Sequence, residues 1–363
     1  MNFKPICLFS VFIPLLTMLP AAFAVDARAI DEVRAKAVLS SADFVVIDNF
    51  VKQAVNEILT ESDFTAVPKV WSILVSKSQS ETTSQVQYRE QFILSAKEQI
   101  SSALRKLRIA DPTESDYRRA VNLLIVVERL GDIQLAPISQ EALGFENRAV
   151  SYWAVKSLSS DAVIEQLKTN KNASAAISNA LLGFLPKAGE ELHPMIASFG
   201  AKAPGEAGVD LLLKVTEIRK GLYTSGKVEN ELLDIDILKL LADKAIAGGS
   251  GSDQYAREFS QLYSYAVQRL VAKRESLNAD AKTRLASVIA EVEITSISQM
   301  LGSRIPHITL RKALEANDYF KLLEEHNKLF GDETRPGEIP TKFGFDYGKN
   351  QDGSKRMSPI KLE

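Results

Sequence analysis

The chain has 363 residues, 45% of them hydrophobic, with 44 Lys and Arg against 46 Asp and Glu and a formal net charge of −2. A chain of this length buries roughly three quarters of its unfolded surface and needs no crosslink to hold a core; its single cysteine, Cys7, rules out disulfides, thiolate zinc sites and iron–sulfur clusters. Near-neutral charge argues against nucleic-acid binding, which draws on phosphate neutralisation by a concentrated basic face.

Met1–Ala24 has the form of an export signal: an early Lys4, an apolar run from Ile6 to Pro20, and Ala22-Phe23-Ala24 before Val25. The run is shorter than the roughly 20 residues that span a bilayer. The expectation is cleavage near Ala24, a thiol-free mature chain without a transmembrane segment, and a periplasmic or extracellular address.

Residues 25–135 form a first helical region. In Ser41–Thr60, Phe44, Ile47, Val51, Ala54, Val55, Ile58 and Leu59 recur at the spacing that lines one helix face. Ser84–Arg108 is a longer helix in which Val86, Ile93, Ile100 and Leu107 fall seven apart, with Ala96 and Ala103 between and Arg89 on the seam. The densest basic cluster, Arg105, Lys106 and Arg108, ends this helix, where cations meet the negative end of its dipole. Pro112 stops the chain, and Thr113 with Asp116 starts a new capped helix. A loop is expected around Leu135–Phe145, with Pro137 and Gly144.

Residues 136–247 form the middle. Asn147–Leu158 places an arginine early and then small alanines and a leucine inward, Ser159-Ser160-Asp161 makes a capped turn, and Ala162, Val163, Ile164 and Leu167 supply a second helix. A further pair runs from Asn172 to Leu185 and from Glu190 to Phe199. This stretch, mainly 146–199, resembles HEAT-like repeats. The resemblance implies stacked antiparallel helix pairs and an extended partner-binding surface. Gly205–Lys220 and Glu229–Ala247 read as further helices, the first closed by Arg219, Lys220 and Gly221. Gly248-Gly249-Ser250-Gly251-Ser252 is a break before the region 252–331, with helices over Asp253–Lys273, Asp280–Leu301 and Thr309–Phe330. Residues 332–363, rich in proline, glycine and balanced charge, are expected to form a disordered tail.

The expected fold class is therefore all-α, an array of antiparallel helix pairs. No phosphate loop, nucleophile elbow or zinc motif appears, and neither a cofactor, a metal nor a catalytic residue is assigned. His326 reads as solvated helix surface, and Trp71 and Trp153 as core anchors. Asp234 is the most unusual polar placement, set between Leu238 and Leu241 on an otherwise apolar helix face. Such a carboxylate must be paired, hydrogen-bonded or protonated, and desolvation raises its pKa; it is either a structural partner of an arginine or a functional acid. Phe343, Phe345 and Tyr347 have no local core and either dock back on the body or engage a partner. The expected role is a non-catalytic, exported protein-interaction or scaffold module with protein partners in the cell envelope. The alternatives are a helical enzyme using carboxylates from several helices and a small-ligand or lipid carrier.

Overall fold

A computed structural model describes residues 27–79, 86–108 and 111–362; the expected leader Met1–Ala24, with Cys7, lies outside them. Among the described residues the fold is all-α, and extended pairing is limited to two isolated bridges, Gly331 with Pro336 and Lys349 with Lys355. Within them no helix is long and apolar enough to cross a membrane.

The first helices are α1 (Ala27–Arg34), α2 (Ser41–Thr60), α3 (Val67–Ser78), α4 (Val86–Leu107) and α5 (Glu114–Leu130). Helix α2 lies against α4, and α3 against α5. The expected seam of α4 is buried at Ile93, Ala96, Ile100, Ala103 and Leu107, whereas Val86 at its start is exposed. Helix α5 begins with the predicted cap: the Thr113 amide donates to Asp116 Oδ2 at 2.9 Å, and the Asp116 amide donates to Thr113 Oγ1 at 3.2 Å. Reciprocal caps satisfy two amides that the first helical turn leaves without partners. Thr113→Ala should cost about 1 kcal/mol of stability, read as a lower urea midpoint at unchanged slope.

Where a loop was expected, α6 (Ala136–Ala142) forms. Pro137 sits in its first turn, where the missing amide costs nothing, so it starts a helix rather than breaking one. The middle continues with α7 (Arg148–Leu158), α8 (Asp161–Leu167), α9 (Lys171–Phe184) and α10 (His193–Lys202). Asn147 caps α7 and Ser160 caps α8, as the turn chemistry requires. Helix α11 (Glu206–Thr224) crosses α10 closely. A Cβ on Gly200 would stand 2.8 Å from Gly208 O, so glycine permits this approach. Helix α11 also runs past Gly221 instead of stopping there, because Arg219 is a buried residue and not an exposed C-terminal cation.

A short turn, Glu231–Leu233, leads into α12 (Asp234–Ala247), which packs along α13 (Ser252–Ala272). Helix α13 is the hub of the C-terminal half, touching α11, α12, α14 (Ala279–Val292), α17 (Tyr319–Phe330) and α18 (Glu338–Phe343). A π-turn, Glu293–Ile297, joins α14 to α15 (Ser298–Leu301). The buried Glu293 carboxylate accepts from the Leu310 and Arg311 amides, both at 2.7 Å. It thereby caps α16 (Thr309–Glu315) from another helix. The single helix expected over Thr309–Phe330 divides at Asn317, whose φ of 56° is left-handed.

The disordered tail expected over 332–363 is corrected by the structure, which is ordered here through Leu362. Ile339 of α18 is fully buried, and Tyr347 Oη donates to Phe330 O at 2.9 Å. The chain turns back tightly after α17: a Cβ on Gly331 would fall 2.2 Å from Met357 O, and its φ is 101°. Composition hid this because the anchoring apolar side chains are few and their core is supplied by α13 and α17.

Candidate binding groove

Asp234 is 1% exposed at the start of α12. Its Oδ1 accepts from Arg219 Nε at 2.7 Å, and its Oδ2 from Arg219 Nη2 at 3.2 Å and Tyr223 Oη at 2.7 Å. Burial pushes the carboxyl upward, and the Arg219 guanidinium and Tyr223 hydroxyl pull against it. Arg219, itself fully buried, also donates through Nη1 to Glu190 and through Nη2 to Asn230 O at 3.0 Å. Nearby, fully buried Glu231 accepts from Arg284 Nε at 2.7 Å and faces Arg269 Nη2 at 3.5 Å. Bidentate geometry plus a tyrosine donor consumes both Asp234 oxygens, which gives this carboxylate the task of holding α12 to α11.

Phe343, Phe345 and Tyr347 dock back on the helical body. The first two are half-buried against the core, and Phe345 meets Tyr347 edge-on with ring centroids 5.4 Å apart. Trp71 and Trp153 are also half-buried, each with a cation over its ring, Arg129 and Lys156 respectively.

Space for a ligand lies elsewhere, in a cavity of about 620 Å³ between α13, α17, the turn Asp332–Thr334 and the segment Ser358–Leu362. Helix α13 turns its apolar residues Phe259, Leu262, Tyr263 and Ala266 into the core. Gln261 and Gln268, seven residues apart and so on nearly one face, reach the passing segment. Gln261 Oε1 accepts from the Ile360 amide at 2.8 Å, and its Nε2 donates to Ile360 O at 3.0 Å. Gln268 Oε1 accepts from the Leu362 amide at 2.6 Å, and its Nε2 donates to Ile360 O at 3.2 Å. The amide and carbonyl of one residue and the amide of the residue two further on point to the same side only along an extended strand. Two glutamine side chains therefore receive main chain as a neighbouring strand would. None of these four bonds involves a side chain of the segment.

His326, Asp332 and Lys361 at the cavity each have a partner within the fold. His326 Nε2 stands 2.8 Å from Ser264 Oγ and Nδ1 3.2 Å from Asn327 Oδ1. Asp332 Oδ1 accepts from the Thr334 amide at 2.8 Å and hydroxyl at 2.6 Å. Across the mouth, Lys361 Nζ meets Glu333 Oε1 at 2.5 Å, both side chains three-quarters exposed. Placing His326 on solvated surface is corrected here: it is 4% exposed, and burial pushes its imidazole down to about 4. Its place in the buried row Leu322, His326, Leu329, at helical spacing, is the signal that marks it. Gln261 and Gln268 carry no such signal, because glutamine on a helix is ordinarily solvent-facing and their partners lie far along the chain.

No protein-family model matches the chain, and no curated protein is similar to it.

Proposed function

We propose that the chain works after export, in the periplasm or outside the cell, as a non-catalytic protein-interaction module. Its helix pairs stack in the manner of HEAT-like repeats, and its recognition site is the groove of α13. The partner supplies an extended segment that takes the place of Ser358–Leu362. One observation carries this: Gln261 and Gln268 bind the main chain of Ile360 and Leu362, as extended peptides are received at exposed sheet edges through their main chain. Against a helical enzyme stands the fate of the buried carboxylates: Asp234, Glu231 and Glu293 each serve cations or helix amides in the core. A carrier of small apolar ligands is the second reading, favoured by Val271, Leu323 and Leu362 in the cavity wall.

Ile360→Pro removes the amide that Gln261 accepts and loosens the resident segment without touching the core. A fluorescent peptide with the sequence of residues 358–363 should bind this full-length variant saturably, and bind the parent chain at least ten-fold more weakly. Adding Gln261→Leu and Gln268→Leu should abolish binding. Absence of saturable binding to the Ile360→Pro chain, alongside saturable uptake of a neutral hydrophobic dye, would replace the interaction module with the carrier.

A further inference from the structure

We infer that His307 is a reactive nucleophile built into the fold, an acceptor site for activated acyl groups, with Nε2 as the attacking atom and Glu293 as the group that takes the ring proton. The chain has three histidines. His193 and His326 are 2% and 4% exposed, and no cysteine stands among the described residues. His307 is different. Its imidazole is 22% exposed, with Nδ1 turned inward to 2.9 Å from Glu293 Oε1. Nε2 meets no donor or acceptor among the described residues and opens to solvent.

The residue is held at both ends. The π-turn sets Ser298 directly after Ile297, and Ser298 Oγ donates to Glu293 O at 3.0 Å while accepting from the His307 amide at 2.8 Å. Such turns are rare inside helices and gather at functional sites. Glu293 Oε1 and Oε2 each accept a main-chain amide at 2.7 Å, from Leu310 and Arg311, and Thr309 Oγ1 donates to Oε1 at 3.5 Å. A carboxylate so supplied with donors accepts from the ring as well. The proton therefore sits on Nδ1, and the lone pair on Nε2 faces outward. Free histidine prefers the other tautomer. When Nε2 attacks an acyl carbon, positive charge develops on the ring beside a fully buried carboxylate, where attraction is stronger than in water. The bond from Nε2 to the carbonyl carbon forms, the bond from that carbon to its leaving oxygen breaks, and the leaving group departs with the electron pair. The Nδ1 proton passes to Glu293 Oε1, which then donates back to Nδ1, and a neutral N-acylimidazole remains.

The test uses the full-length chain at about pH 8, where an ordinary imidazole is neutral, and diethyl pyrocarbonate as the acyl donor. Peptide mass spectrometry locates the carbethoxyl group. His307 should be modified first, and about ten-fold faster than N-acetylhistidine amide in the same buffer, the help expected from a positioned proton acceptor. A mostly shielded imidazole with only a structural role would react more slowly than the free compound. Imidazole nitrogen NMR of the unmodified chain should place the proton on Nδ1. Glu293→Gln keeps an oxygen for the α16 amides but cannot take the ring proton, and should bring the rate to that of the free compound or below. Should this variant not fold, the parent's rate and tautomer decide. A His307 rate at or below that of the free compound overturns the reactive site, and so does a proton on Nε2. An unchanged rate in a folded Glu293→Gln chain overturns the part given to Glu293.

Discussion

Arg219→Met lowers the stability of the folded chain by about 3–5 kcal/mol, the cost of leaving a buried carboxylate without its cation. The reason is the number of groups that lose a partner at once. Arg219 serves Asp234 through two nitrogens, Glu190 through a third, and the Asn230 carbonyl besides. Asp234 is 1% exposed and has no water to fall back on. Methionine fills much of the volume, so the loss reports charge and hydrogen bonding rather than a cavity. The double variant Arg219→Met/Asp234→Leu removes both ends of the pair and should recover most of that loss, because well-packed apolar residues often replace a buried ion pair at little cost. Urea unfolding of the two variants against the parent measures both effects. A loss below about 1 kcal/mol for the single variant, the range of surface pairs, would show that the pair is not buried in solution.

Acidification from pH 7 to pH 4 weakens the fold through two imidazoles. Burial pushes His193 and His326 each down to about 4, against 6.5 in the unfolded chain. For His193 the Arg219 guanidinium adds to the depression, while Glu190 and Glu191 oppose it. Between these values the unfolded chain binds protons that the folded chain refuses. Stability is therefore fully present above about pH 6.5, falls as the pH drops below that, and continues to fall until the folded histidines protonate near 4. Each imidazole contributes on the order of 3 kcal/mol over that window at 1.36 kcal/mol per pKa unit. His326→Gln, which keeps a polar side chain beside Ser264 and cannot titrate, should flatten the stability profile between pH 6.5 and 4 by about half. Chemical denaturation at half-unit pH steps checks this, and a profile identical to that of the parent would show His326 to be solvated.

Local chemistry explains which features could be read from sequence. Helix α2 has the bounds its apolar spacing predicts, and Thr113, Asn147 and Ser160 sit at the helix starts that their side chains favour. Each depends on neighbours a few residues away. Pro137 shows the limit: in sequence it marks an interruption, and only the burial of Ile138 and Ala142 makes it the first turn of α6. Arg219 shows the same limit in charge. Four residues before a tyrosine and followed by a lysine and a glycine, it looks like a C-terminal cation, and its true partners come from Glu190 and Asp234 in other elements. Asp234 stood out as a carboxylate on an apolar face, so its need for a partner was legible and the partner's identity was not. The groove left no local trace. Its bonds join Gln261 and Gln268 to residues 99 and 94 positions away, inside a stretch whose composition suggests disorder.

Site-resolved amide hydrogen exchange across Ser358–Leu362 in the full-length chain tests the groove most directly. Held as a strand edge by two glutamines, the segment should show slow exchange at Ile360 and Leu362 and fast exchange at Lys361, with the slow pair released in Gln261→Leu/Gln268→Leu. Free-chain rates at all three amides in the parent protein would contradict the groove as a receptor for main chain.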